Sequence, residues 1–270
     1  MTTRREFVGS IAAAAFAPAA LRPAKASELL TADRATASEL VPADRVVKNG
    51  RLRQSVSRWP YAKIPLPEFC RAAIPGKRLI SNPGCYPTAA NLALRPLVEA
   101  GVIDRDAGII CDAKSGVSGA GRKPSLKTSF VEVTENFSAY AVLEHRHVPE
   151  ILCTSGLEES ELSFTAQLLP IERGILETIY FRVKNDVDLV EIYQNRYRNE
   201  PFVRIYPRNK FPDLHAVART NFCDIGVTLD AKTGRAVVVA AIDNLVKGAA
   251  GMAVQNMNLA LGFPETTGLQ

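Results

Sequence analysis

Asn82-Pro83-Gly84-Cys85-Tyr86-Pro87-Thr88, continuing as Ala89-Ala90-Asn91-Leu92-Ala93-Leu94-Arg95-Pro96-Leu97-Val98, reads as a tight turn feeding a helix, with a cysteine at the junction. Pro87 suits a first helical turn, where a missing N–H costs nothing. Thr88–Val98 is rich in Ala and Leu, and Gly101 supplies a C-terminal stop. A thiol at that junction meets unpaired backbone N–H groups and the positive end of the helix dipole, and both favour the thiolate. The placement points to Cys85 as a nucleophile. A buried cysteine used as a small hydrophobe is the bland alternative.

Outward from this turn, Arg78-Leu79-Ile80 reads as a short strand leading in, and Gly108-Ile109-Ile110-Cys111 as a buried strand. Leu162–Leu169 and Gly174–Val183 are rich in β-branched and aromatic residues and read as paired strands joined through Pro170-Ile171-Glu172-Arg173. Val187–Tyr197 has helical periodicity, and Asn221–Leu229 and Arg235–Ile242 form a hairpin around Asp230–Gly234. Asn244–Leu261 closes the chain as a long helix whose stripe Val246, Ala249, Ala250, Ala253, Val254 and Met257 predicts the core-facing side. Gly248 and Gly251 inside it each cost about 1 kcal/mol against Ala, which a close approach to another backbone or a cofactor would explain. The fold class is α/β with an α+β catalytic part, a mixed and largely antiparallel sheet covered by helices.

The 270 residues suffice for one large core or two modest domains, and 47% hydrophobic with 23% charged residues is ordinary globular composition. The net charge of +5 suits anionic ligands, or is simply a solvated surface. No basic block interleaves with aromatics, which argues against nucleic acid, and no apolar run after the N-terminus is long enough to span a membrane. Five cysteines without a C-x-x-C pair argue for a reducing compartment rather than a disulfide framework. The start reads differently. Thr3-Arg4-Arg5 followed by the small apolar run Gly9–Leu21 and Ala24-Lys25-Ala26 is an export-like leader over residues 1–26, and Ser27–Lys48 reads as a polar linker.

Two further groups carry chemistry. His145 and His147 lie two apart, so in an extended segment both would share a face. No Glu-x-x-His or Cys/His set completes a metal site around them, so no metal is expected. An imidazole with its ordinary pKa of about 6.5 gives and takes a proton near neutrality. Ser115-Gly116-Val117-Ser118-Gly119-Ala120-Gly121 has its glycines in the reverse order of the dinucleotide fingerprint. Such a loop brings backbone N–H groups close to an anion beside Arg122 and Lys123, or is a flexible surface loop.

Three stretches together, Ser81–Asn91, Lys114–Lys123 and Glu144–Ile151, followed by the run Asp243–Gln255, resemble the N-acetyl-gamma-glutamyl-phosphate reductase family. The resemblance covers roughly Tyr61 to Leu269. It implies a domain similar to the C-terminal domain of glyceraldehyde-3-phosphate and aspartate-semialdehyde dehydrogenases, beside an incomplete Rossmann domain. The implied division is residues 27–84 as a truncated dinucleotide-binding remnant, 85–242 as the catalytic, substrate and dimerisation domain, and 243–270 as a C-terminal helix packing back at the cofactor site. The implied chemistry is reduction of an acyl phosphate by NADPH through a Cys85 thioester, in arginine biosynthesis, by a cytoplasmic homo-oligomer. His147, or His145, supplies the acid/base. Ser115, Gly116, Gly119 and Asn244 line the cofactor, and Asn82 and Arg122 contact the substrate. Met252 stands where the family usually has glutamine. Because no G-x-G-x-x-G follows a strand before Cys85, a redox-silent binding domain and a cofactor-free thiol acyl hydrolase are the alternatives.

Overall fold

The computed structural model describes residues 55–57, 66–77, 79–123 and 125–269. The expected leader over 1–26 and linker over 27–48 lie outside the described residues, as does the start of the resemblance at Tyr61. Residues 52–270 form one compact unit, within which the divisions expected after 84 and after 242 both fall.

Among the described residues nine strands follow in chain order: β1 Ser55–Ser57, β2 Ile80–Asn82, β3 Ile109–Gly116, β4 Ser138–Tyr140, β5 Leu162–Leu169, β6 Ile175–Arg182, β7 Val203–Ile205, β8 Cys223–Asp230 and β9 Arg235–Ile242. Four helices of eight residues or more punctuate them: α1 Cys85–Glu99, α2 Val148–Ser155, α3 Leu189–Tyr197 and α4 Gly251–Leu261. β1 and β2 pair in parallel as a separate two-stranded sheet. The other seven form one mixed sheet in the order β4-β5-β3-β6-β9-β8-β7. The β8–β9 hairpin lies where the turn residues Asp230–Gly234 predict it, with Gly234 at φ +66°.

One expected pairing is wrong. β5 and β6 are not neighbours, because β3 is inserted between them, parallel to β5 and antiparallel to β6. Five residues join β5 to β6 in the sequence, enough to step over one strand, and the alternating pattern does not say which strand a partner is. β3 is buried on alternate residues at Ile109, Cys111 and Ala113, so its core face is apolar and central.

On that face the sheet carries Ile109, Phe164, Ile179, Ile225 and Val238 against the helices. α1 is the hub, buried almost all round from Tyr86 to Leu94, and it packs on β6, β8 and β9 as well as on α2 and α3. A helix apolar on every side belongs inside a protein, as this one does. Its tyrosine neighbours complete the backbone bonding, with Tyr193 Oη donating to the carbonyl of Ala93 and Tyr197 Oη to that of Leu92 at 2.6 Å. The opposite face of the sheet leaves Ile110 and Tyr180 exposed.

The closing helix departs from its predicted register. Val246–Ala250 is a π-turn that leads into α4, and the expected core stripe is not the buried face: Ala249 and Ala250 are exposed, and Val246, Ala253, Val254 and Met257 are half-buried. The buried side is Lys247, Gly248, Gly251, Met252, Gln255, Asn256 and Asn258. The wider turn rotates the face by one residue, and a polar network replaces apolar packing. Lys247 Nζ contacts Glu68 Oε1 at 2.5 Å and Gln255 Oε1 at 2.8 Å, all three residues being fully or almost fully buried. Asn221 and Glu265 extend the network through Gln255. The lysine charge is tolerated there because the Glu68 carboxylate and the Gln255 amide oxygen meet it.

Candidate active site

Cys85 is the first residue of α1, after Gly84 as N-cap. Thr88 fastens the turn, its Oγ1 donating to the Gly84 carbonyl at 2.9 Å. Gly84 is the point of convergence. Its N–H donates to Glu150 Oε2 at 2.9 Å, and a Cβ added to it would lie 2.3 Å from His147 Nε2. Only glycine admits the imidazole there, on steric grounds and not on backbone conformation, since φ is −69°. From the other side Gly248 of the π-turn presses on the thiol residue: a Cβ at Gly248 would lie 2.8 Å from Cys85 Cβ. That contact is the close approach the helical glycine implies. Gly251 is explained likewise, by Asn221 Oδ1 and Val246.

His145 and His147 both turn inward, but not from an extended strand as expected. They sit in a turn in which the His147 N–H donates to His145 Nδ1 at 3.1 Å, ahead of α2, which begins at Val148. Their ring centroids are 4.8 Å apart, with Tyr86 edge-on to both and Tyr140 edge-on to His145. Tyr86 and Tyr140 hydroxyls meet at 3.1 Å. His147 is the imidazole against Gly84; His145 stands one ring further out, on the wall of a cavity of about 700 Å³.

The electrostatics of this cluster differ from the expectation of a depressed thiol. Burial pushes the Cys85 thiol up to about 11, and the N–H groups of Tyr86 and Cys85 together with Arg146 offset only part of it. Burial also drives His147 down to about 2, helped by His145 and Arg146, and His145 down to about 4, helped by Arg146. Both imidazoles are therefore neutral at pH 7. Glu150 is the group poised near neutrality: burial raises its carboxyl to about 7 against the pull of the Gly84 N–H and Arg146. Glu150 lies inside the quoted stretch Glu144–Ile151 yet carries no predicted role. The signal was legible as an acid three residues after His147, in a first helical turn opened by Pro149.

The remaining predicted residues are brought together only in part. Ser115, Gly116, Gly119 and Asn244 do cluster, but they lock one another. Ser115 Oγ donates to the Gly116 carbonyl, the Asn244 amide spans the Gly174 N–H at 2.7 Å and Ser118 Oγ at 3.0 Å, and a Cβ at Gly119 would meet Ser115 Oγ at 2.8 Å. A Cβ at Gly116 would strike the backbone of Arg173. What this loop can offer a ligand is backbone N–H groups. Asn82 is buried and accepts from Asn256 Nδ2 at 2.8 Å, which ties β2 to α4. Arg122 is exposed and does not line the cavity beside His145. Met252 is fully buried. Among the described residues no three His, Cys, Asp or Glu side chains could hold a metal, and no helix is long and apolar enough to cross a membrane.

Residues 85–244 match the family model of the semialdehyde dehydrogenase dimerisation domain. The chain is 54% identical over 216 residues to an N-acetyl-gamma-glutamyl-phosphate reductase of Desulforudis audaxviator, covering 78% of this chain and 62% of that one. It is 52% identical over 210 residues to the reductase of Pelotomaculum thermopropionicum, covering 76% and 60%. The chain thus spans about three-fifths of the length of these relatives. In fold it is similar to the crystal structure of aspartate semialdehyde dehydrogenase II from Vibrio cholerae, with a TM-score of 0.56 and 17% identity over 76% of this chain and 67% of that one. A probable aspartate-semialdehyde dehydrogenase from Pseudomonas aeruginosa gives a TM-score of 0.55 and 21% identity over 70% and 64%.

Proposed function

The chain belongs to the semialdehyde dehydrogenase family, among its N-acetyl-gamma-glutamyl-phosphate reductases, and from that premise we propose that it reduces N-acetyl-gamma-glutamyl phosphate to N-acetylglutamate semialdehyde with NADPH, in arginine biosynthesis. The observation that carries this reading is the convergence of the His147 ring and the Glu150 carboxylate on Gly84, immediately before a thiol at a helix N-terminus.

Cys85 is the nucleophile. With its thiol pushed up to about 11, the thiolate must be generated in place by a neighbouring base. Glu150, near 7, is ionised to a useful degree at neutral pH, and the neutral His147 beside it relays the proton. Sulfur then adds to the acyl carbon, the C–O bond to phosphate breaks, and a Cys85 thioester remains as inorganic phosphate departs. The N–H groups opening α1 face the charge that develops on the carbonyl oxygen. When bound, NADPH would supply the hydride for the thioester carbon. The C–S bond then breaks, the aldehyde leaves, and the proton held at His147 and Glu150 returns to sulfur.

Ser115, Gly116, Gly119 and Asn244 are the residues that would face the nicotinamide end, through backbone groups, since the Ser115 side chain is engaged by the Gly116 carbonyl and that of Asn244 by Gly174 and Ser118. The match to a dimerisation domain supports a homo-oligomer as the working form, and a reaction that consumes NADPH fits the cytoplasm.

The test is phosphate release from N-acetyl-gamma-glutamyl phosphate, with NADPH oxidation followed in parallel. A burst of phosphate that needs Cys85, absent in Cys85→Ser, is expected. Undiminished release by Cys85→Ser overturns the reading, and steady release without NADPH oxidation turns it into a thiol acyl hydrolase.

A further inference from the structure

The enclosure of Cys85 is closed on one side by Gly248 of the π-turn, where an added Cβ would lie 2.8 Å from Cys85 Cβ and 3.1 Å from its Cα. Hydrogen bonds of the i→i+5 kind are rare and occur mostly as single turns, so such a turn needs support from outside its own backbone. Asp243 supplies that support, and the reaction scheme gives it no role.

Asp243 is fully buried. Its Oδ1 accepts the N–H of Leu245 at 2.8 Å and that of Val246 at 3.1 Å, two and three residues further on, as an N-cap side chain does. Its carbonyl accepts the N–H of Gly248 at 2.9 Å, so the glycine that presses on the thiol residue is bonded to Asp243 directly. Oδ2 has other partners. It accepts the N–H of Arg219 at 2.7 Å and Arg173 Nη1 at 3.2 Å. Arg219 stands at φ +62°, a conformation that a non-glycine residue keeps only where its surroundings hold it. Two residues on, Asn221 braces the next glycine of the helix, since a Cβ at Gly251 would lie 2.3 Å from Asn221 Oδ1.

Through Arg173 the same side chain reaches the glycine loop. The carbonyls of Ile171 and Glu172, just before Arg173, accept the N–H groups of Val117 and Ser118 at 2.9 and 3.0 Å. One buried aspartate thus joins the turn that encloses the thiol to the 115–121 loop and to the backbone at Arg219. Neither Asp243 nor Arg173 lines the cavity beside His145, so their influence on the thiol is one of position.

We propose that Asp243 is a positioning residue for Cys85: by bonding the π-turn to Arg219 and Arg173 it holds Gly248 against the thiol residue and keeps the sulfur enclosed and aimed. The assignment rests on the acyl-phosphate reading above, which makes Cys85 the acyl acceptor. A thiol let out of this enclosure gains water and ionises more readily, yet loses the aim that acylation requires.

The test is iodoacetamide labelling of the full chain from pH 7 to pH 11, with the other cysteines as internal references. Burial holds the Cys85 thiol at about 11. Asp243→Ala should lower the midpoint for Cys85 by about one pH unit or more, which speeds its labelling at pH 8 about tenfold. Cys111 and Cys223, buried in the core, should stay protected, and the exposed Cys153 should label at an unchanged rate. Phosphate release from the acyl phosphate should fall about tenfold in the same variant, with kcat rather than KM taking most of the loss. If Asp243→Ala does not fold, Cys111 and Cys223 will label and reveal it; Asp243→Asn, which keeps one acceptor for the turn, then carries the test with a smaller shift in the same direction. An unmoved Cys85 profile in a folded variant overturns the proposal. So does a gain that Cys111 and Cys223 share in both variants, because Asp243 would then hold the core as a whole. The underlying reading fails separately: undiminished phosphate release by Cys85→Ser would remove the reaction and leave the enclosure, since labelling involves no acyl phosphate.

Discussion

Glu150 accepts the N–H of Gly84 at 2.9 Å, so the turn that presents the thiol is tied to the first turn of α2. The tie joins a proton-holding group near neutrality to the backbone next to Cys85. It also makes Glu150 a titration that the fold feels.

The carboxyl of Glu150 is raised to about 7 by burial, above its ordinary value of 4.5. The folded state therefore binds this proton more tightly than the unfolded state does, and the stabilisation present below pH 4.5 is lost as pH rises through about 7. Glu150→Gln, which keeps an oxygen acceptor for Gly84, should remove that loss. Melting temperatures at pH 5 and pH 8 check it: the gap between unaltered chain and variant should move in the variant's favour at pH 8. The same variant should slow acylation of Cys85 by about 10² to 10⁴ and erase a pH dependence centred near 7.

Gly84→Ala isolates sterics from chemistry. The backbone at φ −69° accepts alanine, but the new methyl group would overlap His147 Nε2. A destabilisation of about 1–3 kcal/mol is expected from overpacking. Acylation should fall at least tenfold, because the imidazole must move away from the turn that carries the thiol. Phosphate release and a denaturant titration on one preparation separate the two effects, and an unimpaired rate would dissociate His147 from the reaction.

Burial makes the resting thiol slow. At neutral pH a limiting alkylating reagent should take the exposed Cys153 before Cys85, and labelling of Cys85 should climb as pH rises towards about 11. Mass spectrometry of the labelled peptides reads the order. Labelling of Cys85 first at pH 7 would mean that the helix N-terminus outweighs burial.

Lys247→Met should cost about 3–5 kcal/mol, since it leaves Glu68 charged and buried with only Gln255 for company. Burial pushes the Glu68 carboxyl up, but the Lys247 charge and the hydrogen bonds from Lys247 and Gln255 hold it below its ordinary value. Its contribution is accordingly present above that ordinary value and lost on acidification. The pair Lys247→Met with Glu68→Gln should recover part of the loss, measured by chemical denaturation.

Much of this fold was legible because periodicity and turn chemistry are local. The strand Leu162–Leu169, the hairpin around Asp230–Gly234 and the helix after Cys85 all follow from residues within one element. The insertion of β3 between β5 and β6 was not legible, because partner choice is decided by the whole sheet. The buried side of the closing helix was misread for a related reason: one π-turn shifts the face, and the lysine it buries is tolerated only because Glu68, distant in sequence, meets it. Within the site, residue types pointed to Cys85 and His147. The protonation states did not follow, since they depend on how deeply the imidazoles and the thiol are enclosed.

Gly248 lies far downstream of the thiol it packs against, and the stretch between them holds seven strands of the main sheet. A ribosome must deliver all seven before that contact can form. Until then the cysteine has its helix but not its enclosure. The burial of Cys85 is thus completed only once the turn that carries Gly248 has been made.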